Sequence, residues 1–279
     1  MKDVVLCWLV LLLPCLQLSA QENPESCDCD SIPLDDIVER THLLQHPVLD
    51  YPDVQERDIL WERRVWREID TRQKMNLPFR YPEEPFFSVL LEEIEKGNLT
   101  AYRPADDEFT TPMTPDEVHQ TLSQTDTIRV FDPETYEETI QVVSNDVDPA
   151  SIVKYRLKEV WWVDTRYSQL KFRILGIAPV QAVNDESGNF LYEKPIFWIY
   201  YPKARYTLAR HKVFNPYADA SPLSWEDWIE MRFFDSYVTK VSNVHDRRLK
   251  DYLEGVDRLH EADRLEQEIF NYEMDLWSY

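Results

Sequence analysis

Six histidines and 52 acidic side chains are the obvious raw material for chemistry in this 279-residue chain. His42 and His46 stand four apart and would share one helix face, as paired metal ligands do. Pro47 follows at once, and no third ligand has a matching spacing. His260-Glu261 lacks the second His of an H-E-x-x-H zinc site, and His119, His211 and His245 are scattered. Asp146-Val147-Asp148 opens like a calcium loop without its glycine or closing Glu. Asp106-Asp107-Glu108 precedes Phe109, and Asp164 follows Trp161-Trp162. Carboxylates beside aromatics are what a glycoside hydrolase uses for its acid and its base or nucleophile. In so acidic a chain such neighbours arise by composition, so no catalytic residue, cofactor or metal site is expected. The rival reading is a secreted carboxylate-dependent hydrolase working through Asp107 and Asp164.

Composition narrows the classes further. Hydrophobic residues are 43 % and aromatics 13 %, too much apolar surface for a disordered acidic chain. Only four glycines occur, Gly97, Gly176, Gly188 and Gly255, where average usage would give roughly 20. Phosphate loops, dinucleotide fingerprints and G-x-S-x-G elbows need glycines close together, and are excluded. A net charge of −22 without a concentrated basic run argues against nucleic acid.

The first twenty residues read as an address. Lys2, an apolar run over 4–16 and the small Ala20 make a secretory signal peptide cleaved after Ala20. The run is short for a membrane span, and none of spanning length follows, so a soluble exported chain is expected. Cys7 and Cys15 leave with the leader. Cys27 and Cys29 sit in a polar, flexible segment, 21–33, and are not a disulfide framework. A local disulfide, free thiols, an intermolecular bridge and a soft-metal site all stay open.

Periodicity and end signals give the elements that would position such groups. A helix is predicted from Asp53, with Glu56 completing a capping box, to about Met75. Trp61, Val65 and Ile69 recur along it at four-residue spacing, with Leu60 and Trp66 beside them. A second helix spans 86–96 and ends at Gly97; a third opens at Thr114-Pro115-Asp116-Glu117 and runs to about Ser123. The period then changes to two, with 127–131 and 136–143 forming a hairpin. Over 152–163, Tyr155, Leu157, Trp161 and Val163 share one face and Lys154, Arg156 and Lys158 the other, which looks wet. Leu170, Phe172 and Ile174 oppose Lys171 and Arg173 on the next strand. Gly188 marks a turn, and 195–201, apolar on both faces, is predicted as a central strand. A short helix follows at 203–211. Ser224 and Asp227 cap a helix carrying Trp225, Trp228, Ile229 and Phe233. A last helix over 246–277 would be about 48 Å long. Its stripe includes Leu249, Leu253, Val256, Leu259, Ala262, Leu265, Ile269, Tyr272 and Leu276, with Gly255 as a weak point.

The fold class expected is α+β: one domain over 34–279, with a small, mostly antiparallel sheet of about five strands at 127–201. Helical stretches at 53–123 and 203–279 flank it, the latter ending in the long helix. Trp162 lies on the wet face, so either a helix covers it or it belongs to a partner surface, together with Arg166 and Tyr167 at the adjoining turn. Leu265, Ile269 and Tyr272 on the long helix are the other candidate partner contacts, because a helix longer than a small domain leaves stripe to bury against another subunit.

Several long strings carry a resemblance. Asp58-Ile59-Leu60-Trp61-Glu62-Arg63-Arg64-Val65-Trp66-Arg67-Glu68-Ile69-Asp70 is the most specific, with Asn98-Leu99-Thr100-Ala101-Tyr102 and Lys154-Tyr155-Arg156-Leu157-Lys158-Glu159. Ile174-Leu175-Gly176-Ile177-Ala178-Pro179, Phe197-Trp198-Ile199-Tyr200-Tyr201-Pro202 and Ser242-Asn243-Val244-His245-Asp246-Arg247 follow, and Asp275-Leu276-Trp277 closes the set. In these the chain resembles the GldN/PorN family of the type IX secretion system, from about Ile37 to its C-terminus. The resemblance implies a non-enzymatic ring component in the periplasm, peripheral to the inner face of the outer membrane. It implies many copies assembled with a ring-forming lipoprotein (GldK or PorK) and contact with the periplasmic arm of a motor protein (GldM or PorM), serving protein export and, in some bacteria, gliding. No catalytic motif comes with it.

Overall fold

The segment 59–70 is a strand, not the predicted helix. Spacing of four is degenerate: Trp61, Val65 and Ile69 line one face of a helix, but equally one face of a strand, whose period of two divides four. Tertiary pairing decides, since the segment lies between two antiparallel partners. The expected cap at Asp53 is absent too. A 3-10 turn at Glu56–Asp58 precedes the strand, with Gln55 N–H donating to Asp58 Oδ2 at 3.2 Å.

The computed structural model describes residues 37, 47–105, 107–122, 124–131, 138–145, 149–184, 190–217 and 222–276. The chain divides into Met1–Arg40 and Thr41–Tyr279, and every strand and helix named here belongs to the second unit. The leader, residues 21–33 with Cys27 and Cys29, His42, His46, Asp106, Asp146 to Asp148, Gly188 and Trp277 lie outside the described residues.

In chain order the elements are β1 (Ile59–Asp70), α1 (Phe86–Glu95), β2 (Ala101–Tyr102), β3 (Pro112–Met113), α2 (Pro115–Leu122), β4 (Gln124–Phe131) and β5 (Glu138–Asn145). Then come β6 (Lys154–Asp164), β7 (Gln169–Asn184), β8 (Phe190–Pro195), β9 (Trp198–Tyr200) and α3 (Tyr201–Leu208). β10 (Lys212–Val213), β11 (Leu223–Ser224), α4 (Trp225–Glu230), β12 (Tyr237–Val241) and α5 (Gly255–Leu276) complete the chain. The class is α+β. One antiparallel sheet runs β12-β1-β6-β7-β9-β2-β3, with β8 also paired to β7. It therefore draws on 59–70, 101–113 and 237–241 as well as 154–200. Among the described residues β4 and β5 pair with each other in a separate two-stranded sheet.

The two faces of this sheet are closed differently. On the helix face, Ile69, Tyr155, Leu157, Ile174, Ile177 and Ile199 pack against α1, α3 and α4. Phe86 sits at its centre, with ring centroids 4.4 Å from Trp225, 5.3 Å from Tyr155 and 5.5 Å from Phe79. Burial of each such side chain contributes about 1.5–3 kcal/mol. Further along that face, Val65, Val238 and Val241 meet Ala262 and Ile269 of α5. Helix ends are where the sequence signals hold. Gly97 follows α1 at φ 76°, and the Ser224 hydroxyl accepts from Asp227 N–H at 3.0 Å.

The opposite face is buried as well, although Lys154, Arg156 and Lys158 made it look wet. Arg156 and Lys158 are each 4 % exposed. Among the described residues the cover includes irregular chain. Phe109, in the 103–111 loop, lies edge-on to Tyr102 and Trp198 and directly above Gly176, where a Cβ would come 2.5 Å from its ring. Lys158 donates to Asp107 O and places its ammonium 5.6 Å from the Trp66 ring and 5.5 Å from Phe109. A second strap, 47–53, is pinned by Tyr51, whose ring lies 4.3 Å from the Arg173 guanidinium and 4.1 Å from that of Arg205.

α5 begins at Gly255, not at 246, so its 22 residues span about 33 Å. Gly255 has φ 56° and starts the helix instead of weakening its middle. The preceding residues turn on Asn243, whose Oδ1 accepts from His245 N–H and Arg247 N–H.

Candidate partner-binding site

The six residues predicted to contact partners fall into two groups. Trp162, Arg166 and Tyr167 come together where β6 turns into β7. Asp164 anchors that turn: it is wholly buried and accepts from Arg166 Nε at 3.0 Å, Arg166 Nη2 at 2.9 Å and Lys171 Nζ at 2.9 Å. The Arg166 guanidinium, with Lys171 behind it, holds the Asp164 carboxyl far below the usual range against the opposing effect of desolvation. Arg166 Nη1 also donates to Asp53 O at 2.9 Å, which ties the 47–53 strap to the turn. Trp162 is only 6 % exposed, with the Arg173 guanidinium 5.5 Å over its ring. Tyr167 projects, 58 % exposed, with Lys171 Nζ 4.0 Å above it.

Leu265, Ile269 and Tyr272 lie on the inner side of α5. Ile269 is 4 % exposed and Leu265 packs against the same cluster. Tyr272 stacks on Trp61 with centroids 4.7 Å apart. These three, like Trp162, pack within the chain. The large apolar residues that α5 exposes are Val256, Leu259, Phe270 and Met274.

The carboxylates that could have done acid–base work are engaged structurally. Asp107 accepts from Trp66 Nε1 at 2.9 Å and stands 3.4 Å from Lys158 Nζ. Asp164, buried and firmly ionised, has no proton to donate at neutral pH. His211 sits between Glu84 and Glu93 at 3.4 and 3.3 Å. Among the described residues no group of three His, Cys, Asp or Glu side chains is placed to hold a metal ion, and no helix is long and apolar enough to cross a membrane.

Sequence reasoning missed one open apolar surface. A groove of about 1220 Å³ runs between the 74–88 segment and the 214–217 loop. Met75, Leu77, Phe214 and Tyr217 reach it and are 40–83 % exposed. Tyr81 stacks on Phe214 at 4.6 Å to form its floor. Pro78, Pro82 and Pro85 on one wall and Pro216 on the other fix its shape with little entropy left to lose. Exposed apolar patches with Met and aromatic side chains mark protein interaction sites. The run Leu77-Pro78-Phe79-Arg80-Tyr81-Pro82 was the visible signal, but its closure by Phe214 is not local. The groove, the Tyr167 turn and the outer stripe of α5 each expose large apolar side chains.

A comparison with curated proteins finds no match. The family model described as gliding motility associated protein GldN matches residues 54–278. That span takes in every strand and helix named above, from β1 to α5. The chain belongs to the GldN family, and so to the components of the gliding motility and type IX secretion machinery.

Proposed function

We propose that this chain is a non-enzymatic structural subunit of that machinery. It is exported through a signal peptide cleaved after Ala20 and works in the periplasm, at the inner face of the outer membrane. There it assembles in many copies into a ring with a GldK/PorK-like lipoprotein and meets the periplasmic arm of a GldM/PorM-like motor protein. The family match over 54–278 carries this reading. Three features support it. The ionisable side chains of the turn at Asp164 are tied up in holding straps to the sheet. The proline-walled groove offers an open apolar surface. Tyr167, with Arg166 beside its ring, offers a projecting aromatic side chain.

The experiment is a deletion in the native host combined with purification of the tagged chain from membranes. Loss of secretion of unrelated cargo, together with recovery of the chain in a large particle containing the lipoprotein, is expected. A monomer that cleaves polysaccharide, with activity lost in Asp107→Asn or Asp164→Asn, would overturn the reading in favour of a hydrolase.

A further inference from the structure

In a chain with 52 carboxylates available, cations left without one are informative. Lys154, Arg156, Arg248, Lys250 and Arg258 line one cavity of about 380 Å³, where β6 and β12 approach β8 and the segment leading into α5. Glu68 and Glu193 are the acidic residues of that lining. Both are already taken by Lys154, at 2.8 and 2.7 Å, and Tyr237 Oη also donates to Glu68. Arg248, Lys250 and Arg258 form no ion pair among the described residues, and Arg258 Nε is sealed from solvent without a hydrogen bond.

Arg156 is the sharpest case. It is 4 % exposed, yet its Nε has no hydrogen-bond partner, and Glu68 Oε2 stands off at 3.7 Å. Burial and then the nearby Arg248 charge press its pKa below the usual guanidinium value, a pressure that an anion in the cavity would relieve. A guanidinium buried in this way forgoes the bidentate bonds for which its planar fork is suited. At the mouth, Phe190, Leu191 and Tyr192 are each more than half exposed and give an apolar lip to the cationic floor.

We propose that this cavity binds a carboxylate side chain from an acidic segment of a partner polypeptide, with Arg156 and Arg248 gripping the carboxylate and an adjoining apolar residue resting on Phe190, Leu191 and Tyr192. The volume lies at the small end of ligand sites and suits one or two side chains. The apolar lip favours a carboxylate flanked by hydrophobic residues over a bare phosphate, whose hydration the lip would strip without return. The site stands on its own lining and does not require the ring reading.

Titration calorimetry on the full mature chain tests it with three probes. They are the peptide acetyl-Leu-Glu-Phe-Asp-Leu-Glu-amide, its counterpart with Gln and Asn replacing the acids, and inorganic phosphate. The acidic peptide is expected to bind at least tenfold more tightly than either other probe, and more weakly as sodium chloride is raised. Arg156→Gln should abolish that binding. Arg248→Gln, at the partly exposed rim, should weaken it at least fivefold with an unchanged melting temperature, which separates binding from folding. Equal binding of the two peptides, phosphate binding as tight as the acidic peptide, no binding by any probe, or an unaffected Arg248→Gln variant would each overturn the proposal.

Discussion

The helix face and the strap face of the sheet bury side chains equally well by different means. Over the helix face, α1, α3, α4 and α5 lay continuous apolar stripes on Ile69, Leu157 and Val65. Over the other, loops contribute isolated contacts: Phe109 on Gly176, Tyr51 between Arg173 and Arg205, Asp107 on Trp66 and Lys158. The first closure rests on area removed from water and tolerates any good packing. The second depends on individual geometries and on charge, and so responds to pH, salt and single atoms. It is also the side that holds the buried guanidinium of Arg156.

The largest break of this contrast is expected on the helix face. Phe86→Ala deletes a fully buried ring with three aromatic neighbours and should cost about 3–5 kcal/mol in urea unfolding. On the strap face, Gly176→Ala forces a methyl to within 2.5 Å of the Phe109 ring. It should cost about 1–3 kcal/mol and increase amide exchange in the 103–111 loop ahead of the helices. If exchange rises instead in α1 and α4, the straps are not a separate layer.

Acid sharpens the same contrast. Burial alone would raise the Glu68 carboxyl, but hydrogen bonds from Lys154 and Tyr237 outweigh it and leave the pKa below the usual value. Its folded pKa thus lies under the unfolded one, near 4.3. The stability this contributes is fully present above that pH and is lost as pH falls through the folded value. Unfolding free energy should therefore hold steady at neutral pH and drop below about pH 4.3, with part of the slope missing in Glu68→Gln. The smallest effect separates space from backbone. Gly97 has nothing near a would-be Cβ, so Gly97→Ala should cost only about 1 kcal/mol, from its φ of 76°.

The same division sets what the sequence reveals. Short-range signals translate directly: Gly97 after α1, the Ser224–Asp227 cap, and the two-residue alternation of β6 and β7. β1 is misread because Trp61, Val65 and Ile69 fit both periods, and only its partners β6 and β12, about 90 to 180 residues away, decide. Burial of Lys158 is invisible for a related reason, since the loop carrying Asp107 and Phe109, remote in sequence, packs on it. Trp162 is covered by the neighbouring Arg173, itself pinned by Tyr51. The candidate contacts on α5 point inward because the helix starts at Gly255 and is short enough to bury its main stripe within the chain.

The most direct test of the central claim, a structural subunit held in a ring, is electron microscopy of the tagged full chain extracted from native membranes in mild detergent. Closed particles with many copies of the chain alongside the lipoprotein are expected. Recovery of the chain as a free monomer, with secretion of unrelated cargo intact in the deletion strain, would contradict it.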